Sequence, residues 1–437
     1  ATGSGTVNSL PTLGVNSSSV CSGTNATVTA TASGGSGTYS TYTWGTLPGG
    51  VSDPGNNYSF SSGVAGTYGA TVTDNNGCVS SSATGSVTVN TLPTASASTS
   101  TGNACEGSSI SLTGSASGGS GTYTTYSWTG PNSYNEPNTQ NPTISASATT
   151  AMDGSYNLIV TDDNNCSSAA NSTSISVSAN PTTAAAGNDI SQCNNSTFTM
   201  AANSPSTGTG AWTLISGSAT IVSPSSNTSS VTGLSAGSSA TLRWTISNGV
   251  CASSSDDVTI TNNTLPTASV NSSTVCTGSN ASVTATAAGG SGGGYSYSWT
   301  TLPGGVSNPG NVDNFSSPTA GTYGVTITDG NSCTSGESTG SVTVEALPTA
   351  DAGSSLTAIC QGGTSAAMGG SVGGSATGGT WSGGSGTWAN STNESTATYS
   401  SGASEKGTIT LTLTTTGSSV CNAATDTKTI SVLLTTL

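Results

Sequence analysis

Alternation of apolar and polar residues runs through most of the chain. In the stretch 25–32, NATVTATA, the residues Ala26, Val28, Ala30 and Ala32 share one face while Thr27, Thr29 and Thr31 share the other. The stretch 66–74, GTYGATVTD, places Tyr68, Ala70 and Val72 together in the same way. Period-two order in sequence rich in β-branched residues predicts half-buried strands, and apolar spacing suited to a helix does not recur at useful length. Through the first 90 residues, strands are predicted near 13–20, 25–33, 39–45, 57–61, 66–74 and 84–90. The stretches GGSG (34–37) and DNNG (74–77) supply residues tolerant of turn conformations. Short strands divided by turn signals every 8 to 12 residues indicate an antiparallel β-sandwich of immunoglobulin-like type.

The pattern repeats. Ten cysteines at 21, 78, 105, 166, 193, 251, 276, 333, 360 and 421 are separated alternately by long gaps of 57 to 61 residues and short gaps of 25 to 27. Each long gap holds a tryptophan, Trp44, Trp128, Trp212, Trp299 or Trp381, 19 to 23 residues after the first cysteine, which suggests one small core per unit. Proline-containing stretches (NSLPT, NTLPT, SANPTT, NTLPT and EALPT) mark the boundaries. The expected organisation is all-β, a tandem array of five immunoglobulin-like antiparallel β-sandwich domains at 11–92, 93–180, 181–264, 265–346 and 347–437, with the third and fifth as variants. Residues 1–12, ATGSGTVNSLPT, match 83–94, ATGSVTVNTLPT, so 1–10 read as the last strand of a preceding repeat. The strand is expected either to belong to a longer array or to complete the sheet of a neighbouring subunit.

Two cysteines per unit make an intra-unit pairing the economical expectation: Cys21 with Cys78, Cys105 with Cys166, Cys193 with Cys251, Cys276 with Cys333 and Cys360 with Cys421. Closing a loop of about 60 residues would contribute roughly 4 kcal/mol in the chain-entropy view, compensating for a thin core. A structural zinc site is the rival reading, but there is no C-x-x-C and no histidine. Disulfides imply an oxidising, extracellular compartment. In antibody domains the corner tyrosine lies two residues before the second cysteine; here Tyr68 precedes Cys78 by ten, which moves the cysteine past the strand into a turn at one end of the sandwich.

Composition narrows the function. Three basic residues (Arg243, Lys406 and Lys428), eighteen acidic ones and no histidine give a net charge of -15. Nucleic acid is excluded as a natural ligand because counterion release needs clustered Lys or Arg. No run of about eighteen apolar residues is available to span a bilayer, so membrane insertion is not expected. Only 5% of residues are charged, too few to protect strand edges in the usual way, so glycans or lateral packing against neighbouring copies are expected to cover them.

The run at 21–96 (C-x-G-x-N-A-T-V-T-A-T-A-x-G-G-S-G-T-Y, then W, then GTY-x-x-x-V-T-D-x-x-x-C, then VTV-x-x-LPTA) recurs at 276–350. It resembles the polycystic-kidney-disease-like, gliding-adhesin-type repeats of large secreted surface proteins of Bacteroidota-type bacteria. The second unit matches with a longer middle. The third, with AWTLISGSATIV at 211–222, and the fifth, with GGTWSGGSGTW at 378–388, resemble a second repeat variety of the same proteins. The resemblance implies a module and a setting, not a ligand.

Chemistry is scarce. Without histidine, Ser-His-Asp and Cys-His arrangements are impossible, and an enzyme is not expected. Asp162 and Asp163, and Asp256 and Asp257, are strand neighbours facing opposite ways, so they form no proton-sharing dyad. GGSG lacks the lysine and helix of a phosphate loop. The turns at Asp74, Asp162, Asp163 and Asp329 offer oxygen ligands for calcium, yet one or two carboxylates per turn fall short of what the ion usually takes; Asx-turn chemistry accounts for them and no cofactor is expected. Trp244 and Trp388, outside the repeated position, are the two aromatics to test as a sugar-binding surface. The function expected is a structural or adhesive extracellular stalk or fibre segment with neighbouring copies or polysaccharide as partners. The alternatives are a polysaccharide-binding array and a strand-donating filament subunit.

Overall fold

The computed structural model describes residues 2–434. In the first unit the strands are β1 (Pro11–Val15), β2 (Ser18–Cys21), β3 (Ala26–Gly34), β4 (Tyr39–Thr46), β5 (Ser59–Ser62), β6 (Gly66–Asp74) and β7 (Ala83–Asn90). They form two sheets, ordered β1-β3-β5 and β2-β7-β6-β4. The first residues of β3 face the opposite sheet through Ala26, Val28 and Ala30, which pack with Trp44 of β4, Tyr68 and Ala70 of β6 and Val87 of β7. Phe60 of β5 meets Trp44 edge-on at 5.0 Å between ring centroids, an arrangement favoured by the ring quadrupoles.

The stretch 13–20 expected as one strand is two strands in different sheets. At Asn16 the chain leaves β3 and joins β7, because the Asn16 side chain replaces the lost ladder. Its Oδ1 accepts the Thr29 amide at 2.7 Å, and its Nδ2 donates to the Thr27 carbonyl at 2.9 Å. The crossing brings the Asn16 carbonyl so close to Gly85 that a Cβ there would lie 2.0 Å from it, and Asn271 and Gly340 repeat the arrangement at 2.1 Å in the fourth unit. After the crossing, β2 runs parallel to β7, with Ser18 opposite Val87 and Cys21 opposite Asn90. Each unit is therefore antiparallel except for this one pair.

The chain is a tandem series of immunoglobulin-like β-sandwiches, whose second sheet has three strands in units one to four and is split into two two-stranded ladders in unit five. The four-stranded sheet recurs in units three, four and five, and a five-stranded version occurs in unit two. The cores hold Trp44, Trp128, Trp212, Trp299 and Trp381, each buried. In units one, two, four and five the indole N–H donates to a main-chain carbonyl, of Asn57, Gln140, Val312 and Glu394 respectively. Unit three packs two indoles together, Trp212 and Trp244, at 5.2 Å. Trp244 is thus a core residue, 1% exposed, and not the surface aromatic expected from its position. A tyrosine corner stabilises units one, two and four: the hydroxyls of Tyr68, Tyr156 and Tyr323 donate to the carbonyls of Val64, Met152 and Thr319.

Candidate functional site: the bridged junctions

Strand polarity decides where the cysteines go. The first cysteine of each unit closes the short parallel strand and lies opposite the end of the unit's last strand. The pairs are Cys21 with Asn90, Cys105 with Ser178, Cys193 with Asn263, Cys276 with Glu345 and Cys360 with Leu433. The second cysteine of unit one, Cys78, lies beyond the far end of β6, where Asp74 stands over Gly35 and Pro11 at the unit's entrance. With nine residues in β6, the two ends of the sandwich are roughly 25 Å apart. A disulfide needs Cα atoms within about 7 Å, so the cysteines of one unit cannot bond each other.

The intra-unit pairing is accordingly corrected. The bonds are Cys21–Cys166, Cys105–Cys251, Cys193–Cys333 and Cys276–Cys421, each with a Cα separation of 5.3 to 5.5 Å. The first cysteine of every unit from one to four bonds the second cysteine of the following unit. Cys78 and Cys360, also expected in disulfides, are free thiols. No unit is stapled upon itself; each bridge runs beside a linker. That linker is Thr91 and Leu92 at the first junction, Thr264 and Leu265 at the third, and 346–348 at the fourth.

An aspartate builds the receiving turn in units one, two and four. Asp74 Oδ1 accepts the amides of Asn76 and Cys78, both at 2.9 Å, while Oδ2 accepts the Ser36 amide at 2.9 Å from the GGSG turn. Asp162 binds Asn164, Cys166 and Ser120 in the same way, and Asp329 binds Asn331, Cys333 and Ser291. Burial pushes the Asp74 and Asp329 carboxyls up, but their three amide donors outweigh it and hold both below the ordinary carboxylate value. Three of the lone-pair positions on each carboxylate are thus taken by main-chain N–H groups. Gly35 is required at φ +62°, since a Cβ there would lie 2.6 Å from Asp74 Oδ2.

Units three and five receive the bridge differently. Their second cysteines sit in turns that reach across the junction. Asn248 donates through Nδ2 to the Ala179 carbonyl at 2.8 Å, joining unit three to the end of unit two. Ser419 donates to Glu345 Oε1 at 2.7 Å, and the Ser418 hydroxyl orders the turn by accepting the Cys421 amide at 3.0 Å. At the third junction, Asn331 Nδ2 donates to Asn263 Oδ1 at 3.2 Å. Sequence reasoning passed over Asn248, Ser418, Ser419 and Glu345. Their signal is position alone, since each lies within three residues of a junction cysteine or at the close of a last strand.

The remaining candidates resolve into structure. Asp256 Oδ2 accepts the Ala186 amide at 2.8 Å, and Asp257 forms a two-pronged ion pair with Arg243 at 2.7 and 2.9 Å. Trp388 is half-buried, stacked on Trp381 at 6.0 Å and tilted against Tyr399 at 5.1 Å, so it is packed into the fifth core rather than presented as a platform. Among the described residues no cluster of three or more His, Cys, Asp or Glu side chains could hold a metal ion, and no helix is long and apolar enough to cross a membrane.

Among known proteins, no family model and no curated protein matches the chain. Solved structures do match. Three immunoglobulin domains of titin, in an E-to-A mutated variant, are 12% identical over 58% of this chain and 98% of that one, with a TM-score of 0.39. Immunoglobulin domains 1–5 of Sidekick-1 are 11% identical over 97% of this chain and 99% of that one, with a TM-score of 0.27. Three N-terminal domains of the bacteriophage RB49 highly immunogenic outer capsid protein are 16% identical over 58% of this chain and 99% of that one, with a TM-score of 0.33.

Proposed function

We propose that the chain is a strapped stalk or fibre segment of a large extracellular surface protein, in which covalent bridges suppress bending between consecutive domains. The single observation that carries this reading is the pairing pattern: four bridges, every one joining neighbouring units beside their linker. A main-chain connection with a disulfide beside it turns a flexible joint into a two-point attachment. The sequence resemblance to gliding-adhesin-type repeats supports a bacterial surface setting, and stable disulfides support an oxidising, extracellular one. In this reading the five domains are 11–92, 93–180, 181–264, 265–346 and 347–437, and 1–10 supply the last strand of another such domain. Neighbouring copies are the proposed partners; the burial of Trp244 and the packing of Trp388 remove the support for a polysaccharide platform built on those two residues.

Small-angle X-ray scattering of the intact chain, before and after reduction mild enough to leave near-ultraviolet circular dichroism unchanged, tests the proposal. Reduction should broaden the distribution of interatomic distances as the junctions loosen. Superimposable profiles from folded oxidised and folded reduced chains would reject a strapping role.

A further inference from the structure

We propose that Cys78 and Cys360 are the two open halves of the junction seen four times within the chain. Cys78 receives the first cysteine of a preceding repeat, and Cys360 bonds the second cysteine of a following repeat. The inference rests on the strapped-array reading and extends it to the two ends of the array.

Three observations converge. Within the chain, first cysteines bond forward and second cysteines bond backward without exception, which leaves one unsatisfied thiol of each kind, at opposite ends. Both are held in the bonded geometry already. Cys360 lies opposite Leu433 in the parallel register that Cys21 makes with Asn90, and the Cys78 amide meets Asp74 at the 2.9 Å that the Cys166 and Cys333 amides keep to Asp162 and Asp329. The surroundings are bare where the junctions are covered. Cys166 and Cys333, which hold the place of Cys78 in units two and four, are completely buried, whereas Cys78 is only part-buried beside exposed Val79; Cys360 is exposed near exposed Leu433 and Leu434, where the bonded first cysteines Cys21, Cys105, Cys193 and Cys276 are part-buried. The stretch before Pro11 repeats the last strand and linker of unit one, yet Val7 is 95% exposed while its counterpart Val89 packs against the unit-one core. A repeat of this kind at that end would cover both features.

The step is an ordinary oxidation. Two thiols lose two protons and two electrons as the S–S bond forms, and a disulfide donor such as oxidised glutathione accepts them, leaving as two thiols. The donated thiol can come from further repeats of a longer polypeptide or from a second copy of this chain; the chemistry is the same.

The test uses two full-length variants, Cys78→Ser and Cys360→Ser, each retaining one of the two thiols. Equimolar mixing in a glutathione redox buffer should yield a Cys360-to-Cys78 heterodimer, identified by non-reducing peptide mapping, at about tenfold or more over either homodimer, the ratio that a 1.4 kcal/mol preference produces. Statistical proportions of heterodimer and homodimers, or only glutathione-capped monomers, would overturn the proposal. Mapping of material from the native source gives the second arm. Cys78 joined to Cys360 identifies a second copy, Cys78 joined to a cysteine outside residues 1–437 identifies a longer chain, and free thiols at both positions overturn the inference. The double variant Cys78→Ser/Cys360→Ser keeps all four internal bridges, so the scattering experiment can succeed or fail independently.

Discussion

The turn that ends in Cys78 and the turn that ends in Cys166 are the same object in two covalent states. In both, an aspartate accepts the cysteine amide at 2.9 Å and ties the turn to a GGSG hairpin, through Ser36 in one and Ser120 in the other. Gly35 and Gly119 take φ +62° and +61° under the two carboxylates. One thiol is bonded across a junction and the other is free. The turn therefore owes its shape to the aspartate, the glycine and the hairpin, and the bridge captures an element that is already formed. The shape of the turn and the tether across the junction are built from separate parts.

Removing the bridge should have the largest effect. Cys166→Ser opens a bond of sequence separation 145 and should cost about 5 kcal/mol in the joint unfolding of units one and two, by the chain-entropy estimate. Cys78→Ser should fall within about 0.5 kcal/mol of the parent. Guanidinium unfolding of both variants checks this, and equal losses would break the contrast. Next comes the glycine under each carboxylate. Gly35→Ala and Gly119→Ala should each lose about 2 kcal/mol from left-handed backbone strain, as the new Cβ displaces the carboxylate. Amide exchange should then accelerate more at Cys78 than at Cys166, which stays tethered to Cys21; equal acceleration would mean that the bridge does not hold the turn.

The smallest expected effect is on pH. Asp74 titrates below its ordinary value in the folded chain, so its stabilising contribution is complete above the unfolded value of about 4 and is lost as pH falls through the lower folded value. Asp329, with the same direction of shift, anchors a turn that is bridged to Cys193. Acidification below about pH 4 should therefore expose the Cys78 amide before the Cys333 amide, as followed by proton NMR. Simultaneous exposure would show that the aspartate alone governs both turns.

Much of the fold is legible in the sequence because strand burial has a period of two. The alternation that selects Ala26, Val28 and Ala30 also selects the face that lies in the core. The strand expected at 13–20 hides a change of sheet because Asn16 supplies the missing hydrogen bonds, and no apolar pattern records that. Trp244 misled only by lying outside the repeated tryptophan position; it keeps step with Ala240, Leu242 and Ile246, all buried. The disulfide pairing was hidden by the repeat itself, since identical units support a bond within a unit and a bond shifted by one unit equally well. The discriminating signal was the ten-residue separation of Tyr68 and Cys78, which sends the second cysteine to the entrance of a unit while the first closes at its exit.

The bridges overlap along the sequence, each beginning before the previous one has ended or within the unit where it ends. Every peptide bond between Cys21 and Cys421 lies inside at least one covalent ring. A protease that cuts a loop once, anywhere in that span, releases nothing: the two pieces remain joined by sulfur. A second cut frees a piece only when no bridged cysteine lies between the two, and one cut parts the chain only when every disulfide spanning it is also lost, so damage to an exposed loop is survivable until a reductant arrives.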